Sequence, residues 1–161
     1  MSTGSRREPG VARALETYVK LMRAADSVQA PLDRRLEALG LTEGQFGVLE
    51  ILFHLGSQSA GALSRKSFRS GGHITTVLDN LEKRKLVVRE RLPEDRRTVI
   101  VRLTPAGRRT IAKIFPGHAA AIGAAMGALS PAEQETLAEL LKKLGLAQRG
   151  ETASGRPGRN A

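Results

Sequence analysis

The sequence contains no cysteine and no tryptophan, and only four Phe and one Tyr among its 161 residues are aromatic. Without cysteine there is no disulfide, no zinc held by thiolates and no thiol redox sensor. So few rings argue against a surface that stacks single-stranded bases. No apolar run reaches the ~18 residues of a membrane-spanning helix, and the opening MSTGSRREPG lacks the apolar segment of a signal peptide. A soluble cytoplasmic protein with no membrane partner is the expectation. His54 and His118 stand without partners at metal-ligand spacing, and neither a Ser/His/Asp set nor a Gly-rich nucleotide loop is present. No enzyme, metal or cofactor is expected.

What the chain has in excess is positive charge: 26 Lys and Arg against 16 Asp and Glu, a net charge of +10. The excess is localised. Residues 60–110 hold 13 basic and 5 acidic side chains, whereas residues 11–59 hold 5 and 6. A polyanion is the implied partner, and with stacking surfaces excluded, double-stranded DNA is the best fit.

The apolar periodicity orders the elements. Residues 11 to about 38 read as a helix striped by Ala14, Leu15, Tyr18, Val19, Leu21, Met22 and Ala25, which Pro31 should kink or break. Thr42 and Gln45 form a capping box for a helix through Phe46, Leu49, Leu52 and Phe53, ended by Gly56. A short helix runs from Ser59 to about Phe68 around Leu63, carrying Arg65 and Lys66 as candidate DNA contacts, and Ser70 is the cap of the next helix, which reaches Lys83. Two short strands follow, then a helix from Pro105 with a bend or break expected at Pro116–Gly117. Ser130 and Glu133 cap a last helix striped by Leu137, Leu140, Leu141 and Leu144. Residues 1–10 and 147–161 read as disordered tails. The fold class is mainly α with one small β-hairpin, in outline a winged helix-turn-helix. The first and last stripes exceed what such a domain covers, so a homodimer is expected.

In the helix at 70–83, Ile74, Val77, Leu78 and Leu81 share one face, leaving His73, Thr76, Asn80 and Lys83 opposite, with Gly72 and Thr75 beside them. That polar face fits a major groove, although a solvated surface gives the same pattern. Asp79 is expected to pair with Arg84 or Arg89 and hold the helix against the hairpin. The hairpin LPEDRRTVIVRLTPAG, residues 92–107, carries Asp95, Arg96 and Arg97 at its tip, where Asn-Gly or Asp-Gly would make a sufficient turn. Arginine there suits a narrow minor groove, with Asp95 bracing a neighbouring arginine side chain.

These segments resemble the multiple-antibiotic-resistance regulator (MarR) family of bacterial transcription factors. The resemblance rests on LTEGQFGVLEIL, on SGGHITTVLDNLEKRKLVVRERLPEDRRTVIVRLTPAG and on LSPAEQETLAELLKKL, within residues 12–145. It implies a dimer joined through helices at 11–40 and 105–146, around a DNA-binding region at 41–104. It also implies a pseudo-palindromic operator and, as a rule, repression relieved by a small phenolic ligand. In the family pattern Arg97 is the minor-groove residue and Ser70–Lys83 the recognition helix. The SGGHIT stretch resembles the branch that answers quinones and other aromatic compounds. Lys85 stands where the family usually has glycine, and Ser67 where an apolar residue is usual, with Phe68 expected to take over its packing. Absence of cysteine sets aside the peroxide-sensing thiol mechanism, and absence of tryptophan disfavours the urate-binding branch. Tyr18, Met22, Phe46 and Phe53 are the candidate ligand contacts, each of which also fits plain core. A constitutive DNA-binding or scaffold protein of the same fold is the alternative.

Overall fold

The computed structural model describes residues 9–66, 74–91, 95 and 97–154. The chain divides into two units, one ending at Ile122 and the other beginning at Gly123.

The first unit opens with α1 (Pro9–Ala38), followed by α2 (Glu43–Leu55), β1 (Gln58–Ser59), α3 (Ala60–Lys66), α4 (Ile74–Lys83), β2 (Val87–Arg91), β3 (Val99–Leu103) and the greater part of α5 (Pro105–Met126). Its core is mainly aliphatic: Leu36, Leu49, Leu52, Leu63, Leu81 and Ile111, from five helices, are buried with Phe46 and with Val87 and Val101 of the strands. The second unit holds the end of α5 and α6 (Pro131–Ser154).

Local signals set most boundaries. The Thr42 hydroxyl accepts the Gln45 N–H at 3.3 Å while the Gln45 side chain accepts the Thr42 N–H at 3.1 Å, completing the box that starts α2. Gly56 ends that helix at φ +73°, donating its N–H to the Leu52 carbonyl. Ser130 and Glu133 make the reciprocal pair at the start of α6.

Four expectations need correction. Neither Pro31 nor Pro116 breaks its helix. Both are exposed, and buried neighbours, Leu32 and Leu36 in one case and Ile111 and His118 in the other, hold the flanking turns in place. A proline forfeits one hydrogen bond, which such packing offsets. The first and last helices reach beyond the bounds expected for them. α1 starts at Pro9, proline being well placed in a first turn, and α6 continues through Ser154, because extending a formed helix fixes one residue per added hydrogen bond. Finally, the hairpin is part of a three-stranded sheet in the order β1-β3-β2. β2 and β3 are antiparallel with Arg89 opposite Val101, and β1 pairs Gln58 with Val101 on the other edge.

Exposed apolar faces mark both ends of the chain. α1 exposes Val11, Leu15, Tyr18, Val19 and Met22, and α6 exposes Leu140, Leu141, Leu144 and Leu146. Among the described residues no helix is long and apolar enough to cross a membrane.

Candidate nucleic-acid interface

α4 has two faces, as its spacing predicts. Leu78 and Leu81 are buried and Ile74 and Val77 pack against the core, while Thr75, Thr76, Asn80 and Lys83 are exposed along the opposite side. Arg65 and Lys66 are exposed at the end of α3. Ser70, Gly72 and His73, with Ser67 and Phe68, lie outside the described residues, as does Arg96.

Ionic contacts tie this helix to the sheet. Arg89, on β2, places a guanidinium nitrogen 2.7 Å from Asp79 and donates to Glu82 from Nε at 2.9 Å. The same Glu82 carboxylate accepts the main-chain N–H of Arg89 at 3.2 Å. These hydrogen bonds hold the Glu82 carboxyl below, and the Arg89 guanidinium above, their ordinary ranges. The expected Asp79 pairing is therefore with Arg89. Glu82, not singled out in the sequence, is the stronger anchor, because it engages the side chain and the backbone of the same residue. Arg84 turns the other way, donating to the Gly40 carbonyl at 2.6 Å and linking the end of α4 to the cap of α2. No periodicity announces that contact.

The joint after α4 is tight. Lys85 has φ +59°, the left-handed backbone that glycine adopts without strain. The Thr104 hydroxyl donates to the Lys85 carbonyl at 2.7 Å and accepts the Gly107 N–H at 2.9 Å, while the Thr104 N–H donates to the Leu86 carbonyl. The start of α5 is thereby locked to the strand that leads into the wing.

At the wing tip, Asp95 accepts the Arg97 main-chain N–H at 3.0 Å and the Thr98 hydroxyl at 2.6 Å. Both bonds, Thr98's the larger effect, keep its carboxyl below the usual range. Asp95 thus holds the turn backbone at Arg97, whose side chain is exposed, and the part of the expected brace that falls on Arg96 lies outside the described residues. A carboxylate this close to two donors in one tight turn gains more there than from a flexible side chain. On the outer face of the sheet, Glu90 and Arg102 pair across the strands.

The candidate ligand contacts differ in burial. Tyr18 and Met22 sit a turn apart on the exposed face of α1. Phe46 is buried in the core with its ring centroid 4.3 Å from that of His118. Phe53 is half-buried under the Arg108 guanidinium, 5.7 Å from its ring centroid. Among the described residues no cluster of side chains is arranged to hold a metal.

Residues 41–99, from the start of the α2 cap to the start of β3, match the MarR family model. The chain is also 35% identical, over 134 residues, to the HTH-type transcriptional regulator MhqR of Bacillus subtilis, covering 83% of this chain and 92% of that protein. The chain belongs to the MarR family. Solved structures share its fold. One is BpsR of Bordetella bronchiseptica, described in terms of regulation of its DNA binding by 6-hydroxynicotinic acid. It is 29% identical, with a TM-score of 0.72 over 81% of this chain and 98% of that one. Another is the MarR-family regulator Sco3205 of Streptomyces coelicolor, solved with DNA, which superposes with a TM-score of 0.78 at 24% identity over 89% and 91% of the two chains. The family and its fold are those of winged-helix transcription regulators. In this MarR chain the matched segment contains every contact that ties α4 to β2.

Proposed function

We propose that this chain is a sequence-specific, homodimeric DNA-binding regulator that represses transcription until a small aromatic ligand releases it. The observation that carries the reading is the exposed face of α4, with Thr75, Thr76, Asn80 and Lys83 beside a wing whose Arg97 projects from a braced turn. In this reading α4 enters the major groove, Arg97 enters the adjoining minor groove, and Arg65 and Lys66 contact phosphates. Ser70, Gly72, His73 and Arg96 complete the proposed contact set. A second copy covers the exposed leucines of α6 and the apolar face of α1, and the resulting twofold matches a pseudo-palindromic operator. The ligand's aromatic character is supported by the relative regulated by 6-hydroxynicotinic acid. Tyr18, Met22 and Phe53 are the accessible candidates for its contacts, whereas Phe46 belongs to the core.

The test is selection of duplexes from a randomised library, followed by titration. Thr75→Ala and Thr76→Ala should each cost roughly 1–3 kcal/mol on the selected duplex and less on random DNA. Equal weakening on both would show that α4 does not read sequence. Footprints repeated with a library of phenolic compounds test ligand control; a footprint that none of them alters favours the constitutive alternative.

A further inference from the structure

We propose that Arg89 is a positioning residue that sets the spacing between α4 and the wing tip, and through it the preference for A·T-rich flanks. The inference rests on the DNA-reading role of α4 and Arg97 given above. Arg89 is the middle residue of β2, and its side chain reaches two carboxylates one turn apart on α4, Asp79 and Glu82. Its own N–H is held by Glu82 as well. One residue of the wing is therefore fixed to the helix through main chain and side chain together. With 28% of its side chain exposed and every contact directed at α4, Arg89 is not presented to a phosphate. Among the described residues, the exposed cations near the tip are Arg91 and Arg97.

Position matters because β2 acts as a lever. From Arg89 to Asp95 is six positions along the chain, a reach of at most about 20 Å. A tilt of about 10° at the clamp would move the tip by roughly 3 Å, enough to remove a guanidinium from hydrogen-bond range. Arginine is required for this. Its planar fork serves two acceptors at once, whereas a lysine ammonium on a flexible stem satisfies one and leaves the angle free.

The experiment uses the full chain and duplexes selected by the wild type, resynthesised with either A·T-rich or G·C-rich flanks. Arg89→Lys keeps the charge, so the slope of log affinity against log salt should be unchanged, while the ratio of affinities between the two flanks falls roughly tenfold, the scale of one well-placed groove contact. Combined with Arg97→Ala, which removes the residue being positioned, Arg89→Lys should lower the ratio no further. Glu82→Gln should also lower the ratio, although simple charge counting predicts tighter binding everywhere. A salt slope reduced by about one, with the flank ratio kept, would make Arg89 a phosphate contact and overturn the proposal. Equal loss on both flanks with a lowered melting temperature would overturn it too, reducing Arg89 to a support of the fold. A wild type that selects no duplex defeats the DNA-reading role itself; one that selects duplexes without flank preference defeats only the lever.

Discussion

Gly107→Ala should be among the most damaging single-methyl additions in the first unit. A Cβ at Gly107 would lie 1.9 Å from the Leu86 carbonyl oxygen and 2.9 Å from its carbon, with Leu103 Cδ2 at 3.2 Å. The principal obstacle is backbone, so no side-chain rotation relieves it. Ordinary contact begins near 3.4 Å, so the start of α5 must retreat from Leu86 by about 1.5 Å. The bond from the Thr104 N–H to that carbonyl, now 3.0 Å, does not survive such a move, and the bond from the Thr104 hydroxyl to Lys85 is strained with it. Two hydrogen bonds at about 1 kcal/mol each and overpacking of about 1–3 kcal/mol, less about 1 kcal/mol for the better helix propensity of alanine, leave a net cost of about 2–4 kcal/mol. Urea unfolding followed by far-UV circular dichroism measures it. Gly47→Ala is the matched control: it lies inside α2 with nothing within 4 Å of the new methyl, so it should stabilise by about 0.5–1 kcal/mol. A cost below about 1 kcal/mol for Gly107→Ala, on the same scale, would refute the backbone-contact argument.

Lys85→Gly should stabilise by about 0.5–1 kcal/mol in a thermal melt, since a left-handed non-glycine residue costs about 1–2 kcal/mol and glycine's extra unfolded-state entropy returns only part of it; a destabilised variant would contradict this. His118 is pushed below the ordinary histidine range, chiefly by burial, with Arg35 acting in the same direction and Glu50 and Asp33 against it. Between its folded and unfolded values only the unfolded chain takes up the proton, so stability should be full above pH ~6.5 and decline as pH falls through the range below it. His118→Leu should flatten that decline and, by removing a buried Nδ1 without a partner, leave stability at neutral pH equal or higher; an unchanged slope would acquit His118. Asp95→Asn should weaken binding to the selected duplex even though it makes the wing more positive, because the turn under Arg97 loses its best acceptor. Tighter binding at fixed salt would show that the wing acts only through its charge.

What the sequence disclosed and what it hid differ by range of interaction. The boxes at Thr42 and Ser130, the start at Pro105 and the two faces of α4 are decided within a turn or two, and their residues announce them. β1 is invisible because Gln58 and Ser59 have no strand character of their own; they are a strand only because β3 presents a free edge to them. Pro31 misleads for the complementary reason, since its local penalty is outweighed by contacts that Leu32 and Leu36 make with distant residues. At the candidate site, Asp79 is legible as an acid on a surface that should be basic. Glu82 is not, because its carboxylate looks like any exposed helix residue until β2 is in place beside it. The ligand question is least legible. Tyr18 and Met22 are exposed where their stripe fits core equally well, and only a partner surface distinguishes the two.

The charge surplus at 60–110 also changes meaning once the contacts are known. Thirteen basic side chains in one stretch invite the reading that all of them face DNA. Arg89 is instead spent on Asp79 and Glu82, Arg102 on Glu90, and Arg84 on a main-chain carbonyl 44 residues away. These arginines build the frame: one fixes the wing to α4, one fixes strand to strand, and one fixes α4 to α2. Among the described residues of this stretch, Arg65, Lys66, Lys83, Lys85, Arg91, Arg97, Arg108 and Arg109 are exposed and hold no ion pair, and they lie at the end of α3, at and just after the end of α4, along the wing and at the start of α5. Counterion release depends on the cations that meet phosphate, so the salt dependence of binding should report fewer than the thirteen, since Arg84, Arg89 and Arg102 are engaged within the protein. The internal pairs neutralise acids that would otherwise repel the DNA backbone, which explains how Asp79, Glu82 and Glu90 are tolerated on a basic surface. Acid and base in this region are therefore cooperating parts: the paired residues fix the geometry, and the unpaired cations supply the field.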